Sequence, residues 1–462
     1  MINRLTLLSL LVLVAFKIIA IYFTKFTLYG DEAQYWLWSK TLDFGYFSKP
    51  PLLAWFLSGH TKVFGDSFVS LKIFPTIVYF FVLFSIYRLC LSLSFSKNNS
   101  MLCSISFFLI PAVSFSSFLI STDLLLLLFW TLTMTKLLDL RNDASTINFL
   151  LLGLFLGLSF VAKYAAIYFV LSLFLLIILD KKTYSIFKNN LLGFCFFSIS
   201  LILILLPNIF WNINNGWATL YHTSSNANLQ NLSLSIYEPL EFLIAQIFMI
   251  GPILFVAFVL LIKNFSLDFE NRFLLIFSVP IILLVLIESF LVRANANWAA
   301  PALVSIFILF FKLVNDKKNM LIKINFVFNY FVCVLLFFGI LVSSKHNIFD
   351  RVRGVDVFVQ DLSEIISGGD IVVSDRITFS NISYELRNKP NNVFMPYDSG
   401  SPVTNHFQTT SALSPLRKVD FYLIGELGDI SYLTKNYQSE LIKEFFVPFN
   451  SSGLKLYEVS FK

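Results

Sequence analysis

Long apolar runs alternate with short polar connections along most of the chain, and the alternation stops after Ser343. A helix crossing a bilayer needs about 20 apolar residues, fewer where neighbours bury it. On that rule the runs predict about eleven spans. They are Leu5–Phe23, Phe68–Leu93, Met101–Ile120, Leu124–Leu138, Ile147–Ala162, Tyr164–Leu179, Leu191–Trp211, Leu240–Ile262, Phe273–Leu291, Ala299–Val314 and Ile324–Val342. Ile147–Leu179 is too long for one straight helix, so it divides at Lys163. Beyond Ser343 the pattern turns mixed. Ile371–Ser374, Val393–Met395, Phe421–Ile424 and Phe445–Phe449 read as short strands, and Asp375–Asn388 and Ile430–Tyr437 as helices or helical turns. The expected fold is a polytopic α-helical membrane protein. Residues 1–342 form its membrane region, with a first loop at 24–67, and residues 343–462 a small C-terminal α/β domain.

Composition narrows the class. Hydrophobic residues make up 57% of the 462, charged residues only 13%, and there are 55 Phe. A water-soluble core cannot absorb that density, and nothing marks a nucleic-acid binder. Cys90, Cys103, Cys195 and Cys333 all sit inside apolar runs and read as small hydrophobes. The first run lacks a small-residue cleavage site and reads as an uncleaved span.

Charge sets the orientation. With Arg4 inside and the spans alternating, Lys97, Arg141, Lys181, Lys182, Lys188, Lys263, Arg272, Lys317, Lys318 and Lys323 collect on one side. The other side's short connections hold only Lys163 and Arg293. The first side is therefore cytoplasmic. The first loop, Asp123, Lys163, the 212–239 segment, Arg293 and the tail are then expected outside. No internal repeat of the transporter kind is evident.

One loop stands apart. Tyr29–Gly65 reads YGDEAQYWLWSKTLDFGYFSKPPLLAWFLSGHTKVFG, with adjacent acids Asp31 and Glu32, Lys40, Lys49, a Pro50-Pro51 pair and three tryptophans. DEAQYWLWS, GYFSKPPLLAWF and FGDSFVSLKIFP resemble the first external loop of the polyprenol-phosphate-sugar glycosyltransferases. These are glycosyltransferase family 39, or protein-mannosyltransferase-like, enzymes of GT-C type, and they include the lipid A aminoarabinose transferases. GLSFVAKYAA, PNIFWNINNGW and RANANWAAPAL echo further family patterns, so the likeness runs from about Tyr29 to Pro301, with a looser echo near Val372–Val393. One departure is clear: aminoarabinose-transferase members read Glu-Lys-Pro-Pro where this chain has Ser48-Lys49-Pro50-Pro51.

The resemblance implies an enzyme that moves a sugar, with inversion, from a polyprenyl-phosphate donor to an acceptor hydroxyl. The acceptor would be lipid A or another envelope glycan, a lipid or a protein, at the periplasmic face of a bacterial inner membrane. Asp31 matches the presumed base, and Glu32 stands beside it. Attack on the donor expels a phosphate, so cations must meet the charge that develops on it. Lys49 matches the family's phosphate-contacting lysine, and Lys163 and Arg293 are further candidates. Tyr35, Asp123, Asn212, Trp217, His222, Asn297 and Trp298 are candidates for the sugar or acceptor pocket.

Each has a plainer reading. The acid pair could simply end a span in water, Asp123 could cap a helix, Lys163 and Arg293 could snorkel, and Trp217 could be an interfacial anchor. The acids could hold Mg²⁺ or Mn²⁺, but no third ligand is spaced with them, so no cofactor is assigned. A carrier or flippase of lipid-linked sugars is the alternative function. It would call for charges near the bilayer midplane and twofold repetition.

Overall fold

The computed structural model describes residues 2–227, 232, 234–343, 347–366, 368–414, 416 and 418–462. They form two compact units. One comprises Met1–Ala20, Lys49–Leu53 and Leu71–Phe338; the other comprises Ile21–Ser48, Ala54–Ser70 and Gly339–Lys462.

The first unit is helical, as lipid requires of a backbone with no water to bond. Ile2–Phe23, Phe68–Ser92, Thr122–Asn142, Thr146–Ala162 and Leu191–Asn214 lie close to the expected spans. Lys163 interrupts its run in extended backbone (φ −160°, ψ 134°), and a 3₁₀ turn, Tyr164–Ala166, leads into Ile167–Leu179. Four expected spans are reshaped. Met101–Ile120 is two pieces, Lys97–Phe108 and Pro111–Ser116, because Pro111 cannot continue a helix and starts one instead. The Leu240–Ile262 stretch bends by 98° at Gly251. Ala299–Val314 and Ile324–Val342 share one run, Ala300–Leu341, broken at Lys318 (φ −148°, ψ 70°). Among the described residues five helices are long and apolar enough to cross a bilayer singly, and seven if each of two sharply bent pairs counts as one. Composition alone had suggested about eleven.

Close packing in this unit depends on small residues. A Cβ on Gly153 would come within 2.2 Å of the Phe197 carbonyl oxygen, and one on Gly157 within 2.8 Å of Ile204. This Gly-xxx-Gly step lets the Thr146–Ala162 and Leu191–Asn214 backbones approach as membrane helices often do. The bundle also holds two lysines with no exposure, Lys17 and Lys72. Lys17 Nζ donates to Thr76 Oγ1 at 2.6 Å and to the Ser117 carbonyl and hydroxyl, while Lys72 Nζ lies 4.2 Å from the Phe118 ring centre.

In the second unit the tail builds a five-stranded sheet from β1 (Asp370–Val373), β2 (Asn392–Phe394), β3 (Phe421–Ile424), β4 (Tyr437–Val447) and β5 (Asn450–Phe461). The order is β2-β1-β3-β5-β4; the first three run parallel, and β5 is antiparallel to both β3 and β4. β1 is buried along its whole length, as a central parallel strand should be. Val372, Leu413, Phe421, Leu423, Leu433 and Val459 make its core. Residues 24–48 and 54–67 of the first loop belong to this same unit. The loop's anchors include Thr27 N–H donating to the Val352 carbonyl at 2.7 Å, and Phe26 against Phe349 at 5.1 Å.

Candidate functional site

In the loop–tail unit, the acid pair opens the helix Gly30–Lys40. Its two members are used differently. Glu32 is 1% exposed and accepts the Tyr29 amide at 2.9 Å, closing the helix N-terminus on itself. Asp31 keeps 40% of its side chain exposed, with Arg376 Nη1 3.5 Å from Oδ1. Arg376 also donates to Gln34 Oε1, so one guanidinium bridges two residues a turn apart on one face of this helix. Arg376 stands at the start of Arg376–Glu385, a helix capped by Asp375, which accepts the Thr378 amide at 2.7 Å.

That second helix sets the first. A Cβ on Gly30 would fall 2.2 Å from Ile377 Cγ2, so only glycine fits the crossing. Trp36 meets Tyr384 edge-on at 5.0 Å, and Tyr384 Oη donates to the Asp66 carbonyl at 3.0 Å. Asp66 pairs with Lys40 at 2.8 Å and lies 3.9 Å from Arg387. Burial works to raise the Asp66 carboxyl, but the Lys40 and Arg387 cations outweigh it and hold it below the usual range. Trp38 stacks on the fully buried Tyr46 at 4.6 Å, with His406 edge-on to both. Burial drives His406 down to about 4, with Asp43 opposing weakly, so the imidazole is neutral at pH 7. Tyr35 is buried against Trp38 at 5.4 Å.

The helical unit gathers a different set. Asp123 sits in the first turn of Thr122–Asn142. Lys163 Nζ donates to its Oδ1 at 2.7 Å, and Asn297 Nδ2 to its Oδ2 at 3.3 Å. The extended backbone at Lys163 frees that side chain from helical geometry. Next to it, Tyr164 Oη donates to Asn208 Oδ1 at 2.7 Å and accepts from the buried Asn212 Nδ2 at 3.2 Å. Asn297 and the half-buried Trp298 lie in the 3₁₀ turn Ala296–Ala299, which Gln246 pins by donating to the Ala296 carbonyl at 2.9 Å. Arg293 is exposed in the turn before it. Trp217 is exposed at φ 58°, following Gly216, and His222 lies on the short helix Ala218–Ala227 within reach of Asn226 at 3.2 Å. Lys49 is half-buried where the loop gives way to Pro50-Pro51 and the helix Leu52–Phe64. Within the 212–239 segment, residues 228–231 and 233 lie outside the described residues.

The structure thus brings Asp123, Lys163 and Asn297 together, ties Asn212 to the residue after Lys163, and gives Asp31 the partner Arg376. Arg376 was not among the residues the sequence singled out. The signal was faint: an Asp-Arg step where a buried strand turns into a helix. Among the described residues no three His, Cys, Asp or Glu side chains gather as a metal-ligand set. The acid pair does not supply one either, since Glu32 is spent on its cap.

Comparison with known proteins gives concordant results. Residues 48–211 match the family model described as dolichyl-phosphate-mannose-protein mannosyltransferase. The lipid A galacturonosyltransferase RgtD of Rhizobium johnstonii is 26% identical over 413 residues, which is 85% of each chain. The fold is that of ArnT from Cupriavidus metallidurans. The form bound to undecaprenyl phosphate matches at TM-score 0.69 with 10% identity, and the apo form at 0.66 with 11%; each alignment covers 98% of this chain and 97% of the other.

Proposed function

We propose that this chain is a polyprenyl-phosphate-sugar-dependent membrane glycosyltransferase, like the proteins it resembles, and that it glycosylates a lipid A-type acceptor with inversion at the sugar's anomeric carbon. The reaction proceeds on the periplasmic face of the inner membrane. The lipid A acceptor is suggested by the relative RgtD, and the undecaprenyl carrier by the lipid held in ArnT.

In this reading Asp31 takes the proton from the acceptor hydroxyl as its oxygen bonds to C1 of the donor sugar. The C1–O bond to phosphate breaks, and its electron pair leaves with polyprenyl phosphate. Lys49 and Arg293 carry the charge that develops on that leaving group, a role suited to a cation and, for Arg, to two parallel donors. Asp123 and Asn297 hold Lys163 in place, and Arg376 orients Asp31. Asn212, Trp217, His222 and Trp298 contribute to the sugar pocket.

The observation that supports this best is the division of labour in the acid pair: one carboxylate is buried in a helix cap, and its neighbour is left open with a single oxygen engaged. Asp31→Asn should cut kcat about 10²–10⁴-fold, the usual worth of a general base, while donor binding persists. A folded Asp31→Asn protein that transfers labelled sugar at the normal rate would remove Asp31 from the mechanism. The acceptor is tested separately, by mass spectrometry of lipid A from a strain lacking the gene.

A further inference from the structure

The loop–tail unit contains a half-open cavity of about 440 Å³, within the roughly 300–1,000 Å³ range of small-ligand sites. Both segments of the unit wall it: Trp38 and Lys40 from the first loop, and Arg387, Lys389, Asn392 and Phe407 from the tail. No spanning helix contributes. Lys40, Arg387 and Lys389 are the charged residues of the wall, and no carboxylate lines it. Behind the wall Asp66 serves both Lys40 and Arg387, while Lys389 donates to the Ser363 hydroxyl at 2.7 Å. Asp66 thus serves two of the three cations and Glu385 acts on Arg387, so three positive charges stand against two carboxylates and the wall keeps a positive surplus. Trp38 and Phe407 close the wall as buried rings, 2% and 3% exposed, and Asn392 lies beside them with its Nδ2 donating to Asp370 at 3.0 Å. A cavity of this size with a cationic wall suits an anionic headgroup.

We propose that this cavity is a subsite for an anionic sugar of the acceptor, one bearing a phosphate or a carboxylate. The donor's charge adjoins its polyprenyl chain and so needs the apolar helices. A charge recognised without any spanning helix belongs to a headgroup instead. The Gly30–Lys40 helix carries Asp31 at one end and Lys40 in the cavity wall at the other, about 13 Å apart along its axis. The acceptor is therefore gripped at one sugar while a hydroxyl on another meets the base. The word acceptor rests on the transferase reading; the binding site does not.

The test uses the full-length protein in nanodiscs with three probes: N-acetylated glucosamine disaccharide bisphosphate, digalacturonate, and the N-acetylated disaccharide without phosphate. At least one anionic probe should bind tenfold or more tightly than the neutral one, and which of the two does so tells phosphate from carboxylate recognition. Arg387→Gln/Lys389→Gln should abolish that preference, and Lys389→Gln, which leaves the Arg387–Asp66 contact intact, should weaken it. In transfer assays the double variant's loss should fall on acceptor KM and not on donor KM. Equal binding of all three probes, or an unchanged preference in either variant at normal melting temperature, overturns the proposal. Charge-selective binding that the double variant abolishes, in a protein with no transfer activity, would keep the cavity and refute the transferase reading.

Discussion

Two acid–cation contacts, one in each unit, show how the same chemistry is put to opposite uses. In the helical unit Lys163 meets Asp123 at 2.7 Å, with 17% and 13% of the side chains exposed. In the loop–tail unit Arg376 stands 3.5 Å from Asp31, with 37% and 40% exposed. The first pair is short and largely desolvated, so losing one partner strands a charge in a poor solvent. The second is long and wet, contributes little to stability, and leaves most of its carboxylate open. Tight pairing fixes a lysine; loose pairing keeps an acid available.

The sharpest way to break the comparison is Lys163→Met. It should destabilise the protein by about 3 kcal/mol, toward the lower end for a broken buried pair because some exposure remains. The double change Lys163→Met/Asp123→Leu should recover much of that. Thermal unfolding in detergent reads both, and equal stability of the single variant and wild type would erase the contrast.

Next comes acid. His406 titrates near 4 when folded, against 6.5 ordinarily, so its contribution is complete above pH 6.5 and drains away as pH falls toward 4. Hydrogen-exchange protection factors, corrected for the intrinsic pH dependence of exchange, should fall across 21–48 and 339–462 between pH 6.5 and 4.5, and His406→Phe should flatten that fall. An identical profile in His406→Phe would place the acid sensitivity elsewhere.

The smallest effect is expected at Arg376→Gln. Stability should change by less than about 1 kcal/mol, while kcat falls roughly tenfold through misorientation of Asp31. A large stability loss instead would mean that the loose pair is structural after all.

How much of this was legible in the sequence depended on the range of each contact. The parallel strands at Asp370–Val373, Asn392–Phe394 and Phe421–Ile424 were readable because short apolar runs between turn residues say little else. The long hairpin was not: only Phe445–Phe449 was read as strand. β4 is exposed along nearly all its length, so YQSELIKEFFV carries no alternation to betray it, and its register is held by β5. The break at Lys163 was visible as a polar residue inside an overlong apolar run. Arg376 could not be found in the same way, since its partner Asp31 is 345 residues away and Arg376 is not unusual in its own neighbourhood. The separate fate of Glu32 was also hidden, because a capping acid and a working acid look alike until burial divides them.

Lys17 carries a consequence for how this protein is made. The first helix enters the membrane bearing a cation that, at the centre of a span, costs about 2.5–3.5 kcal/mol to insert. Its oxygen acceptors come later, at Thr76 and at Ser117, 100 residues downstream. At synthesis rates of roughly 5–20 residues per second, that leaves the charge waiting several seconds for its hydroxyls. During that interval the insertion machinery, and not the finished bundle, must shelter it.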